Sequence, residues 1–240
     1  MPVAYKVTAS MSSIRDLSYE ALRDSVAQVF REGAGSRPDV LHIRYESADA
    51  VLKDYAGCDA RFSWWLGPLL ARREARALTV LRGIGGAPEL IQRVNRRALL
   101  IEHVAGIPIN TAAPVPGWST FFERLYELVA AVHQRGVAHC DLRSPSNILI
   151  DEQGQPFVVD FVACVFRGGR WNLANRWLFG QFCRADRNAV AKLKSRVAPH
   201  LVTAQEKQNL GHTRRLDRVA RALGKRIRAF SRALLTARRS

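Results

Sequence analysis

The chain has 240 residues, 37 Lys/Arg against 21 Asp/Glu, a formal net charge of +16 and 48% hydrophobic residues. That is long enough to bury a substantial core without covalent staples, and the four scattered cysteines (Cys58, Cys140, Cys164, Cys183) show neither a CxxC pair nor zinc spacing. These features exclude a disulfide scaffold and a structural zinc framework and predict reduced thiols. No signal-peptide pattern opens the chain and no apolar run reaches transmembrane length, so a soluble, cytoplasmic or peripheral protein is expected.

Short apolar runs at Val26–Arg31 and Val40–Tyr45 predict strands. Between them lies Glu32-Gly33-Ala34-Gly35-Ser36-Arg37-Pro38. Two glycines in such a turn let backbone N–H groups approach a phosphate closely, although a plain hairpin turn accounts for them equally well. A third strand, Ala50-Val51-Leu52-Lys53, ends in a lysine that could be a solvated charge. Pro68–Arg82 predicts a helix with Leu69, Leu70, Ala77, Leu78 and Leu81 on its apolar stripe, Pro68 in the first turn and Gly83, Gly85 and Gly86 beyond its end. Glu74 is the only acidic residue between Asp59 and Glu89.

Ala98–Ile101 predicts another strand, leading into Glu102-His103-Val104-Ala105-Gly106. After a connection containing Pro114, Pro116 and Gly117, Trp118–Gln134 predicts an amphipathic helix. Phe121, Phe122, Leu125, Leu128, Val129 and Val132 form its apolar face, Ser119 is the expected N-cap and Gly136 the residue past its C-terminus. Then comes HCDLRSPSNILIDEQGQPFVVDF, His139 to Phe161. Strand-like Ile148–Ile150 and Phe157–Val159 flank the polar turn Asp151–Pro156, predicting a β-hairpin that brings Asn147 and Asp160 together with Asp141 just outside. Two hard oxygen ligands and a carboxylate suit Mg²⁺-assisted phosphoryl transfer.

This series resembles the protein-kinase-like superfamily, from about Val26 to Lys194. The resemblance implies an α+β, bilobal fold with a small β-rich N-lobe and a reduced, mainly helical C-lobe. Its expected boundaries are residues 1–104, 105–213 and a basic C-terminal helix at 214–240. It implies ATP and Mg²⁺ as cofactors, with ATP between the two lobes. Asp141 is then the catalytic base, Asn147 and Asp160 the metal ligands, and Arg143 a stabiliser of charge on the transferring group. Lys53 is the α/β-phosphate contact held by Glu74, and Gly33 and Gly35 belong to the phosphate loop. Glu102 and Val104 are the backbone contacts for adenine, with Ile101 behind the ring. His139 is expected to anchor the loop rather than to move protons. Two departures stand out: six steps separate Asp141 from Asn147 where the family has five, and Val162 replaces the Gly that normally follows Asp-Phe.

Cys140 stands where an arginine is common, only 80 residues follow Asp160, and no Ala-Pro-Glu segment occurs. These features resemble small atypical bacterial kinases, the RIO-like group and the lipopolysaccharide (Kdo-type) core kinases. Trp177–Lys194 resembles the short helical end of the latter. The implied reaction moves the γ-phosphate of ATP to an alcohol, on an envelope glycolipid sugar or a protein Ser/Thr. A pseudokinase or nucleotide-binding regulator, and an RNA-associated kinase of RIO type, are the alternatives. From Arg214 to Arg239 there are ten Lys/Arg and one acid, with Leu216, Val219, Leu223, Ile227, Phe230 and Leu234 at helical spacing. This basic amphipathic segment suits either an anionic membrane surface, on the inner face of the membrane, or packing on the C-lobe. Nucleic acid ranks below both, because no recognised nucleic-acid motif accompanies it.

Overall fold

The structure, a computed structural model, describes residues 10–111, 117–169 and 171–212. The Pro114 and Pro116 connection and the basic segment 214–240 lie outside these residues. Two compact units are present. Among the described residues, those through Arg82 together with Pro88–His103 build one, and Gly83–Ala87 with those from Val104 onward build the other.

In the first unit, helices α1 (Ser10–Arg15) and α2 (Tyr19–Asp24) precede strands β1 (Val26–Arg31), β2 (Asp39–Tyr45) and β3 (Ala48–Asp54). Helices α3 (Ala60–Trp65) and α4 (Gly67–Leu81) follow, then β4 (Leu90–Gln92) and β5 (Ala98–Glu102). The strands form one antiparallel sheet in the order β1-β2-β3-β5-β4. Side chains alternate faces along a strand. Leu41, Ile43, Ala50, Leu52, Ala98 and Leu100 therefore share one face, where Ile14 and Leu22 of α1 and α2 cover them. Leu99 points the other way, into a cluster with Tyr55, Phe62, Ala71 and Ala75 beneath α3 and α4. Lys53 pairs with Leu99 across the β3–β5 ladder and so belongs to this second face. Leu69 departs from expectation: it is 57% exposed. The buried residues of α4 include Ala71, Glu74, Ala75, Ala77, Leu78 and Leu81, and Leu70 is partly buried against the Tyr55 and Leu99 cluster, so Ala77, Leu78 and Leu81 fall where expected.

The second unit holds β6 (Ile107–Pro108), α5 (Trp118–Gln134), β7 (Val137–Ala138), β8 (Ile148–Ile150), β9 (Pro156–Val158), β10 (Val165–Phe166), α6 (Leu173–Val197) and α7 (Ala204–His212). Trp118, Phe121, Phe122, Leu125, Leu128, Val129 and Val132 are buried along α5, and α6 packs against that helix. The N-cap of α5 is Gly117 rather than Ser119, whose hydroxyl instead donates to Glu123 one turn on. Gly136 adopts φ +80° just past the helix, and its N–H donates to the His133 carbonyl. The predicted hairpin forms as β8–β9. Its second strand starts one residue early, at Pro156, so Val159 rather than Asp160 is the first residue beyond it. Tyr126 of α5 and Lys194 of α6 both donate to Glu206, which ties α7 to the two long helices. Among the described residues, no helix is long and apolar enough to cross a membrane.

Candidate active site

In the first unit the sequence series converges on an ion pair. Lys53 Nζ lies 2.8 Å from both carboxylate oxygens of Glu74, with the hydrogen bond directed at Oε1. The residues are 5% and 1% exposed. Taking both charges out of water costs several kcal/mol each, and the attraction roughly repays this. Strand alternation puts Lys53 on the α4 face, and the helical period puts Glu74 on the buried stripe.

The glycine turn is explained differently. The Gly33 N–H donates to Asp39, and a Cβ at Gly33 would sit 3.0 Å from the Gly57 backbone. A side chain at Gly33 would crowd that backbone, and the Gly33 amide is engaged by Asp39. Gly35 has φ +59°, with its carbonyl accepting from Asp59 N–H.

At the end of β5, Glu102 exchanges two bonds with Glu89. Its N–H donates to the Glu89 carbonyl and its carboxylate accepts the Glu89 N–H. Burial pushes the Glu102 carboxyl above its usual range. The Glu89 N–H opposes this rise and the Glu89 charge adds to it. The chain passes from one unit to the other between His103 and Val104.

The second unit carries the rest. Asp141 is exposed, while Asn147 is buried. Asn147 Nδ2 donates to the Asp141 carbonyl at 3.0 Å and to Asp141 Oδ2 at 3.2 Å. The extra residue between them is absorbed by the 3-10 turn Pro145–Asn147, with Asn147 N–H bonded to Ser144 O and Ser144 N–H to Asp141 O. Contact between the two residues survives the insertion. Arg143 lies half-buried in the same loop. The Asn147 carbonyl accepts from Val159 N–H, which places Asp160 one residue beyond this bond, at φ +67°. An Asn amide oxygen and an Asp carboxylate are hard donors, so this pair fits Mg²⁺.

His139 is buried and acts as an anchor. Its Nδ1 accepts the Asp141 N–H and its Nε2 faces the Val159 carbonyl at 3.0 Å, an arrangement that selects the neutral tautomer with the proton on Nε2. The ring also packs on Phe161.

Sequence reasoning missed Asp186. This α6 residue is 1% exposed and accepts from the N–H groups of His139 (2.7 Å) and Cys140 (2.8 Å) as well as from His133 Nε2 (3.0 Å). Cys140 has φ +67°, a conformation that costs a non-glycine residue about 1–3 kcal/mol. The Asp186 carboxylate holds the loop in that strained shape. The available signal was an acid at helical spacing among Phe179, Cys183, Ala189, Val190 and Leu193, where an unpaired charge would be prohibitive.

Solved structures similar in fold are known. The Rio2 kinase of Chaetomium thermophilum aligns with a TM-score of 0.59 at 20% identity, covering 80% of this chain and 65% of the other. Its ADP/Mg²⁺–phosphoaspartate complex aligns with a TM-score of 0.58 at 21% identity, covering 92% and 78%. The chain has the protein-kinase-like fold. Within that fold it resembles the RIO kinases, and the expected α+β class, with a sheet-rich first unit and a helical second unit, is the one found. A probable serine/threonine-protein kinase of Dictyostelium discoideum is 29% identical over 109 residues. The match spans 42% of this chain but only 16% of that protein. No protein-family profile matches the chain.

Proposed function

We propose that this kinase-like chain is an ATP-dependent phosphotransferase acting on an alcohol. The observation that carries the reading is the buried Lys53–Glu74 pair. Buried ion pairs are weak sources of stability, so a pair held this tightly inside a kinase-like fold is better explained by a charged ligand. Lys53 contacts the α/β-phosphates of ATP, and Glu74 fixes its rotamer. Asn147 and Asp160 hold Mg²⁺, which neutralises charge on the phosphates. Asp141 orients the acceptor hydroxyl and takes its proton, and Arg143 stabilises charge on the transferring group. The Glu102–Val104 backbone takes the adenine edge, as the resemblance implies.

Purified protein incubated with Mg²⁺ and γ-labelled ATP tests the reading. Release of ADP should require Mg²⁺ and should fall by about 10²–10⁴-fold in Asp141→Ala. No turnover together with no nucleotide binding sinks the proposal. Binding without turnover selects the nucleotide-binding regulator. Label retained on the protein as a hydroxylamine-labile acyl phosphate would align it with the phosphoaspartate seen in the Rio2 complex.

For the acceptor, Trp171, Leu173, Trp177 and Leu178 are all exposed, by 83%, 73%, 67% and 44%. Tryptophans enriched among exposed apolar groups suit a membrane interface, and the basic segment from Arg214 suits an anionic one. Both support a glycolipid sugar over a protein hydroxyl. Cosedimentation with anionic vesicles that is lost in high salt is the expected result, whereas equally salt-sensitive binding to RNA alone would favour the RIO-type alternative.

A further inference from the structure

Across the same sheet face as Lys53, four residues back along β3, stand three side chains that phosphoryl transfer does not use. His42 on β2 and Asp49 on β3 are joined by a 2.6 Å contact from Nε2 to Oδ1. His103, just past β5, stacks on His42 with ring centroids 4.3 Å apart and an interplanar angle of 28°. Phe30 of β1 stacks on both imidazoles, at 5.4 Å and 5.8 Å. His42 is buried at 6% exposure, and one donor atom from each of His42, Asp49 and His103 lies within 4.8 Å of the others.

We infer that His42, Asp49 and His103 form a binding site for a divalent transition-metal ion of the Zn²⁺ class. Two imidazoles and one carboxylate are the donor types such ions select over Mg²⁺ or Ca²⁺. Metal–donor bonds of about 2.0–2.2 Å put donors roughly 3.3–3.6 Å apart around a tetrahedral ion, so the 2.6 Å His42–Asp49 contact must open by about 1 Å and the widest separation, at most 4.8 Å, must close by no more than about 1.5 Å, while the two stacked rings tilt to turn their in-plane lone pairs onto the ion. Solvent supplies the fourth position. The residues come from β2, β3 and the end of β5, and the β2–β3 and β3–β5 ladders fix their backbones. A bound ion would therefore clamp His103, the residue between Glu102 and Val104, to the middle of the sheet.

One group opposes the ion. Arg44 Nε lies 3.1 Å from Asp49 Oδ1, but its side chain is 62% exposed and free to swing into water. This gives the site a counter-intuitive signature: removing Arg44 should tighten metal binding.

The test uses the whole, nucleotide-free chain, so failure of the kinase reading leaves it intact. Zn²⁺ is titrated in competition with a chromogenic chelator, and Cu²⁺ is used as a paramagnetic probe. Expected are one tight ion per chain, affinity reduced more than about tenfold by His42→Ala, His103→Ala and Asp49→Asn, and raised by Arg44→Ala. His200→Ala, at an exposed position outside the cluster, should change nothing. Cu²⁺ spectra should show two imidazole nitrogens in the wild type and one in each single-histidine variant. That count is independent of any loss of stability. A flat titration, or stoichiometry and spectra unchanged in both His42→Ala and His103→Ala, overturns the assignment.

Discussion

Single side chains decide the chemistry by what they hold in place. Asp186→Ala would leave two loop N–H groups and the His133 imidazole without their acceptor. At about 1–3 kcal/mol per unsatisfied buried group, with the Cys140 N–H only part-buried and able to reach water, the two buried groups set an expected loss of about 2–6 kcal/mol in urea unfolding. Asp186→Asn keeps an acceptor oxygen and should lose less. The Lys53–Glu74 pair offers a sharper test. Glu74→Ala takes its paired carboxylate from a buried lysine and should cost about 3–5 kcal/mol, whereas the double change Lys53→Met with Glu74→Leu should restore most of that stability. If the pair serves a nucleotide, ATP binding stays lost in the stable double variant. Recovered binding there would remove lysine from the mechanism.

Elements impose their own tests through caps and ties. Gly136 terminates α5 in the left-handed region, and a Cβ there meets only ordinary contacts with Arg167. Gly136→Ala should therefore destabilise by about 1–2 kcal/mol from backbone conformation alone, read as a lowered melting temperature. The α7 tie depends on pH. Burial raises the Glu206 carboxyl pKa, but the Thr203 N–H, Tyr126 and Lys194 together outweigh it and hold the pKa below its usual 4.5. A carboxylate with a lowered folded pKa adds stability above its unfolded pKa and loses it as pH falls through the folded one. Acid titration of the wild type should thus show a loss of stability beginning near pH 4.5 and deepening below it, and Glu206→Gln should flatten that slope.

At the scale of the whole molecule, ligand linkage gives a direct measure of the proposed function. Mg²⁺-ATP at one hundred times its dissociation constant should stabilise the chain by about 2.7 kcal/mol. A thermal shift that depends on Mg²⁺ and disappears in Asp160→Ala is the expected outcome.

By itself the sequence determined the local elements and the order of the chemical groups. Val26–Arg31 and Trp118–Gln134 were readable to the residue because periodicity and flanking breakers are written locally. The series Lys53, Glu74, Asp141, Asn147 and Asp160 was legible through its resemblance to the protein-kinase-like superfamily. The remainder depends on residues brought together from distant parts of the chain. Leu69 faces water while Ala71 and Ala75 of the same helix are buried with Tyr55, Phe62 and Leu99, and Gly33 packs against the Gly57 backbone. Asp186, 45 residues beyond Asp141, fixes a strained loop that no local pattern connects to it. Only tertiary packing decides such contacts, because a buried polar atom takes whichever partner the fold brings within bonding distance. His42, Asp49 and His103 became a cluster in the same way, by the pairing of strands.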